Sequence, residues 1–323
     1  MSESIYKYYF EPGAGLHQLC PGRETALLEE VQTFCGVTVT GRDNCLQLAG
    51  AAANVEQATA FFDALKKLFA LRRQELDARE VELLWRTFRR RPETGTTAEL
   101  ERLWQHRLRV SPRKKAVLPR SEKQLEYIEQ IRRCDVVFGI GPAGTGKTFL
   151  AMACAVESFL KQEVNRIILT RPARESGEKL GFLPGSLEDK VSPYLRPLYD
   201  ALYEMLSEDE AAGLIERNLI EVAPLAFMRG RTLNGSFIIL DEAQNTTEEQ
   251  MLMLLTRLGF GSKCVITGDP DQSDLPAGAD SGLQRAIRKL QGIPEIGFCR
   301  FDTKDVVRHR LLEKIILSYN QQE

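Results

Sequence analysis

The sequence predicts an α/β chain: a parallel β-sheet with helices on both faces, preceded by a small α+β module. Three observations carry this reading. From Ser121 onward, helical patterns alternate with short, nearly continuous apolar segments, and strands of that kind are buried on both sides between helical layers. Between Leu16 and Leu71 the order is instead helix, hairpin, helix. The two regions are joined by a basic stretch that Pro92, Gly95 and Pro112 interrupt, which breaks regular structure.

The elements of the first region follow from local pattern. Leu27, Leu28, Val31, Phe34 and Cys35 recur at helical spacing. Val37 to Thr40 and Cys45 to Leu48 flank Gly41-Arg42-Asp43-Asn44, a hairpin with a four-residue turn. Val55, Ala58, Phe62, Leu65 and Phe69 step along a second helix, and a first strand is placed near Leu16 to Cys20. The predicted organisation is an N-terminal tail over 1–15, the module over 16–71, a basic helical connector over 72–119 and the large α/β domain over 120–323. In that domain the strands are Val136 to Ile140, Arg166 to Thr170, Phe237 to Leu240 and Cys264 to Thr267, with weaker candidates at Leu219 to Val222 and Gly297 to Phe301.

Composition narrows the class. The 323 residues are 43% hydrophobic and 27% charged, enough for a packed core in one large or two modest domains. No apolar run reaches the roughly 18 residues that span a bilayer, and Met1 to Phe10 lacks the basic and apolar regions of a signal peptide. A cytoplasmic protein without membrane contact is expected. The seven cysteines are widely spaced with no C-x-x-C pair, so they read as small apolar residues in a reducing compartment rather than as disulfide or zinc ligands. Net charge is −2, yet Arg86 to Arg120 holds 11 Lys plus Arg against 3 Glu. Two readings stand for that block: a track for a nucleic-acid backbone, or a solvated linker that pairs with acidic surface elsewhere.

Three motifs each begin where a predicted strand ends, and ligands of parallel sheets bind at those carboxyl ends. Gly141-Pro142-Ala143-Gly144-Thr145-Gly146-Lys147-Thr148 fits G-x-x-x-x-G-K-[ST], a P-loop whose backbone cradles phosphates. Lys147 reaches the β and γ phosphates in such a loop, and the Thr148 hydroxyl is a Mg²⁺ ligand. Phe237 to Leu240 runs into Asp241-Glu242. Asp241 is assigned to the metal and Glu242 to the general base; an N-cap role for Asp241 is the alternative. Thr267 to Gln272 is the third motif, where Gln272 either orients the lytic water or belongs to a plain Asp-Pro turn. Gln124 and Tyr127 precede the P-loop strand and embrace an adenine base, or Ser121-x-x-Gln124 is a capping box. The expected ligands are ATP and Mg²⁺.

Asp241-Glu242-Ala243-Gln244 is a DEAQ box. With the P-loop, Gly268-Asp269-x-x-Gln272 and Gln124, it resembles the first core domain of superfamily I helicases, which implies a RecA-like P-loop NTPase fold. Thr170-Arg171-Pro172, Gly177 to Gly185, Phe227 to Thr232 and Arg308-His309 look like the PhoH-like family in its YbeZ-type branch. The resemblance is dense from Pro119 to the C-terminus and implies ATP hydrolysis linked to RNA metabolism, with helicase or remodelling activity, and association with a YbeY-type endoribonuclease. It also implies a KH-like fold for the N-terminal module, although no G-x-x-G occurs between Leu16 and Leu71 and Pro21-Gly22-Arg23-Glu24 is nearest. Helicases close two cores on ATP, whereas the chain from Ser121 has room for one. A neighbouring subunit in a homo-oligomeric ring is therefore expected to supply an arginine finger, with Arg171, Arg174, Arg229, Arg231 and Arg308 as candidates and salt bridges as the alternative for each. An ATP-gated scaffold that binds a protein partner without acting on RNA is the competing function. A GTP switch is disfavoured by the absence of N-K-x-D.

Overall fold

The computed structural model describes residues 4–11, 15–42, 44–72, 76, 78–90, 102, 103, 105–172, 187–275 and 281–306. The chain divides into two compact units, Met1–Gln105 and His106–Glu323. In the first, β1 (Ser4–Tyr9), α1 (Leu16–Leu19), α2 (Glu24–Cys35), β2 (Thr38–Arg42), β3 (Cys45–Gly50), α3 (Ala52–Arg72) and α4 (Ala78–Arg90) follow in order. The sheet is antiparallel in the order β1-β3-β2, giving the α+β module expected. Three details differ from the sequence reading. The supposed tail supplies β1, whose Tyr8 packs inward, 4% exposed, and donates its hydroxyl to Asp63 at 2.7 Å. The segment read as a first strand is the short helix α1. The hairpin strands run on to Arg42 and Cys45, which pair with each other, so the turn is shorter than four residues.

Helix α4 belongs to this unit rather than to a connector. Val81, Leu84, Trp85 and Phe88 lie on one helical stripe and are buried. Trp85 meets Phe61 of α3 edge-on, with ring centroids 4.9 Å apart. Gly36, at φ 66°, ends α2 in the left-handed conformation that glycine adopts without steric cost.

The second unit opens with a strap, not a helix. Leu108 and Val117 exchange backbone hydrogen bonds at 2.8 and 2.9 Å, and both side chains are buried in its core. Then come α5 (Glu122–Arg133), β4 (Val136–Ile140), α6 (Lys147–Leu160), β5 (Arg166–Arg171), α7 (Leu187–Met205), α8 (Glu208–Glu216), β6 (Ile220–Pro224), β7 (Ser236–Leu240), α9 (Glu248–Leu255), β8 (Lys263–Gly268), α10 (Gly282–Leu290) and β9 (Ile296–Arg300). The six strands form one parallel sheet, β6-β5-β7-β8-β4-β9. Helices cover both faces. Val137, Leu169, Ile239 and Val265 pack against Tyr127, Leu150, Ala155 and Leu198 of α5, α6 and α7. On the other face Phe138, Ile168, Ile238 and Ile266 pack against Met251 of α9 and Leu283 of α10. Among the described residues no helix is long and apolar enough to cross a membrane.

The strand order positions the site. β5, β7, β8 and β4 are consecutive neighbours. Arg171, Asp241-Glu242, Asp269 and the P-loop therefore leave the sheet side by side, though Gly141 and Asp269 are 128 positions apart in the sequence.

Candidate active site

The P-loop is shaped by close approach. Gly141 sits at φ 138°, and a Cβ there would meet the Phe301 carbonyl oxygen at 2.4 Å, so neither the conformation nor the space admits a side chain. Thr145, fully buried, closes the loop by donating from Oγ1 to the Pro142 carbonyl at 3.0 Å. Helix α6 starts at Lys147, and the first N–H groups of a helix have no intrahelical partner, which suits a phosphate. Lys147 donates from Nζ to the carbonyls of Gly141 and Pro142 at 2.6 and 2.8 Å. Burial pulls its ammonium below the usual lysine range, against the opposing pull of Asp269, Asp241 and Glu242.

Asp241 faces the loop. Its Oδ1 accepts from Thr148 Oγ1 and from Thr267 Oγ1, each at 2.7 Å, and the residue is 8% exposed. The N-cap alternative falls away, because Thr247 caps the helix that follows. The Thr148 and Thr267 hydroxyls meet the Asp241 carboxylate here, and a hydroxyl beside one carboxylate is a donor set that Mg²⁺ accepts while keeping several waters.

Glu242 takes a different environment. Its backbone is left-handed at φ 53°, and its side chain is 37% exposed. Arg171 Nη2 lies 3.1 Å from Oε1, and Gln244 Nε2 donates to Oε2 at 2.5 Å. Gln244 in turn accepts from the Asp269 amide at 3.0 Å through Oε1. Gly268 makes room for this bridge, since a Cβ there would meet Gln244 Oε1 at 2.8 Å. Ala143, Gly144, Gly146, Lys147, Thr148, Asp241, Glu242, Gln244, Asp269 and Gln272 line one cleft of about 290 Å³. Gln272 is exposed at its mouth, with its amide bonded to the Asp269 carbonyl at 3.1 Å.

Two assignments change. The Tyr127 ring is fully buried, edge-on to Phe301 at 5.4 Å and beneath Gly139; no base can stack on it. Gln124 is 4% exposed. It receives the Arg120 amide at 2.7 Å and donates to the Thr145 carbonyl at 2.9 Å, so it braces the P-loop rather than facing a base. Half of the capping box is present: Ser121 Oγ accepts from the Gln124 amide. Among the arginine candidates, Arg171 engages Glu242 within the same chain, Arg231 is bidentate on Glu221 at 2.6 and 2.7 Å, and Arg229 is exposed. Arg174, Arg308, His309 and 177–185 lie outside the described residues.

Sequence reasoning did not assign Thr267 or Gln244 to the site. Gln244 was visible as the last letter of the DEAQ box, and Thr267 opened the third motif without a role of its own, because its bond to Asp241 depends on β7 and β8 being neighbours.

The family model "PhoH-like protein" matches residues 116–320. A PhoH-like protein of Bacillus subtilis is 43% identical over 301 residues, covering 93% of each chain. One of Mycobacterium bovis is 57% identical over 214 residues, 66% of this chain, and the match spans only 61% of its length. Among solved structures, the Pif1 helicase from Candida albicans aligns over 61% of this chain and 43% of its own, at 15% identity and a TM-score of 0.32, a remote likeness. The chain belongs to the PhoH-like family.

Proposed function

We propose that this chain is a cytoplasmic Mg²⁺-dependent ATPase that acts in RNA metabolism, through helicase or remodelling activity. The observation that carries the ATPase reading is the meeting of the Thr148 hydroxyl and the Asp241 carboxylate at 2.7 Å beside a buried lysine. The α6 N-terminus and Lys147 bind the phosphate oxygens. Thr148 and Asp241 hold Mg²⁺, which when bound neutralises charge developing on the phosphates. Glu242, the part-exposed carboxylate of the cleft, accepts the proton of the attacking water. Gln272 stands where it can orient that water. A homo-oligomeric ring that covers the outer side of the nucleotide, and a YbeY-type endoribonuclease as partner, belong to the same proposal.

The RNA reading is supported by the strap at the start of the second unit. Arg109, Arg113, Lys115 and Arg120 are exposed on it, and no acidic residue occurs between Arg107 and Arg120. ATP turnover measured against increasing single-stranded RNA tests this. Stimulation is expected, weakening with salt and lost on reversing the charges of Arg109 and Arg113. Turnover that ignores both RNA and salt points instead to an ATP-gated scaffold.

A further inference from the structure

We propose that Arg171 is a positioning residue acting in cis, which aims Glu242 into the cleft and ties it to helix α7. This rests on the reading of Glu242 as the general base. A non-glycine residue in the left-handed region persists only where its surroundings hold it, and Glu242 is such a residue. Two donors hold its two carboxylate oxygens. Gln244 takes Oε2 and is itself anchored on the Asp269 amide beyond β8. Arg171, at the end of β5, takes Oε1 with Nη2. Its other arm, Nη1, donates to the Tyr194 carbonyl at 3.2 Å. Tyr194 lies in α7 between Pro193 and Pro197, both inside the helix. Pro197 withdraws the donor that would serve the Pro193 carbonyl, one residue before Tyr194, and its ring strains the helix at this turn. The guanidinium thus spans from the helix to the base. A displacement of α7 is therefore felt at Glu242 without passing through the phosphate loop. Arg171 is then not a finger for a neighbouring site.

Steady-state ATPase and nucleotide-binding assays on the full chain test this with Glu242→Gln, Arg171→Met, Arg171→Lys and Pro197→Ala. Arg171→Met is expected to lower kcat about tenfold or more, as misplacement of a reacting group does, with KM and ATP affinity unchanged. Added guanidinium ion restores part of the loss, and Arg171→Lys falls between. Pro197→Ala, which leaves Arg171 in place, lowers kcat by a smaller factor, again without a change in ATP affinity. An equal mixture of Arg171→Met and Glu242→Gln chains turns over no faster than the average of the two variants measured separately, because base and arginine must share a chain. Recovery in that mixture assigns Arg171 to a neighbour's site and overturns the proposal. So does an unchanged or raised kcat in Arg171→Met while Glu242→Gln is inactive. Parent turnover in Glu242→Gln overturns the base assignment itself, a result distinguishable from the others.

Discussion

The two sides of the cleft are held in different ways. On the phosphate side, Thr145, Lys147 and Asp241 are each less than a tenth exposed, and the bonds among loop, lysine, Thr148 and Asp241 run from 2.6 to 3.4 Å. On the other side, Glu242 is part-exposed and Gln272 exposed, and the Glu242 carboxylate is steadied by long side chains from β5 and from the DEAQ box. The first side is a buried anion seat built on one contiguous loop, which Asp241 joins from the end of β7. The second is an assembly whose parts arrive from separate strands. Binding and turnover should therefore be separable by mutation, with binding sensitive to the loop and turnover to the assembly.

The largest effect that bears on this contrast is expected from Lys147→Ala. Removing a charged donor at the site of developing charge costs on the order of 10²- to 10³-fold in rate, and here nucleotide binding should fall with it, measured by equilibrium titration alongside turnover. A variant that binds ATP normally but does not turn it over would erase the distinction between the two sides. Next comes Gln124→Ala. It leaves the Thr145 carbonyl without its buried donor, which costs about 1–3 kcal/mol of stability and should appear in thermal unfolding, with discrimination between ATP and GTP unaltered. A changed preference at constant stability would return Gln124 to the base. The smallest effect belongs to Tyr127→Phe. Its hydroxyl is buried with no protein partner among the described residues, so its removal should shift stability by less than about 1 kcal/mol and leave the KM for ATP where it was. A clear rise in KM would mean that Tyr127 reaches the nucleotide after all.

Legibility followed the range of the interactions. The strand Val136–Ile140, the glycines after it and the helix from Lys147 are local features, and their pattern was readable along the chain. Strand β1 was missed because its exposed Ile5, Tyr6 and Tyr9 surround the inward Tyr8, so an edge strand shows no clean alternation of apolar and polar residues. The basic connector dissolved for a similar reason. Trp85 and Phe88 find partners in Phe34 and Phe61, and Leu108 finds one in Val117; none of these pairings is written in local spacing. Tyr127 looked like an aromatic poised before a P-loop, and only the packing of Phe301 and Gly139 around it revealed a core residue.

By itself the sequence determined the fold class, the phosphate loop and the two carboxylates that follow β7, because each depends on residues within a few positions of one another and on backbone preferences that glycine and apolar runs impose. The tertiary structure alone decided that Thr267 shares Asp241 with Thr148, that Gln124 bonds to the loop, and that Arg171 pairs with Glu242. Those roles depend on the order β5-β7-β8-β4, and strand order is fixed by the burial of both sheet faces together rather than by any stretch of sequence.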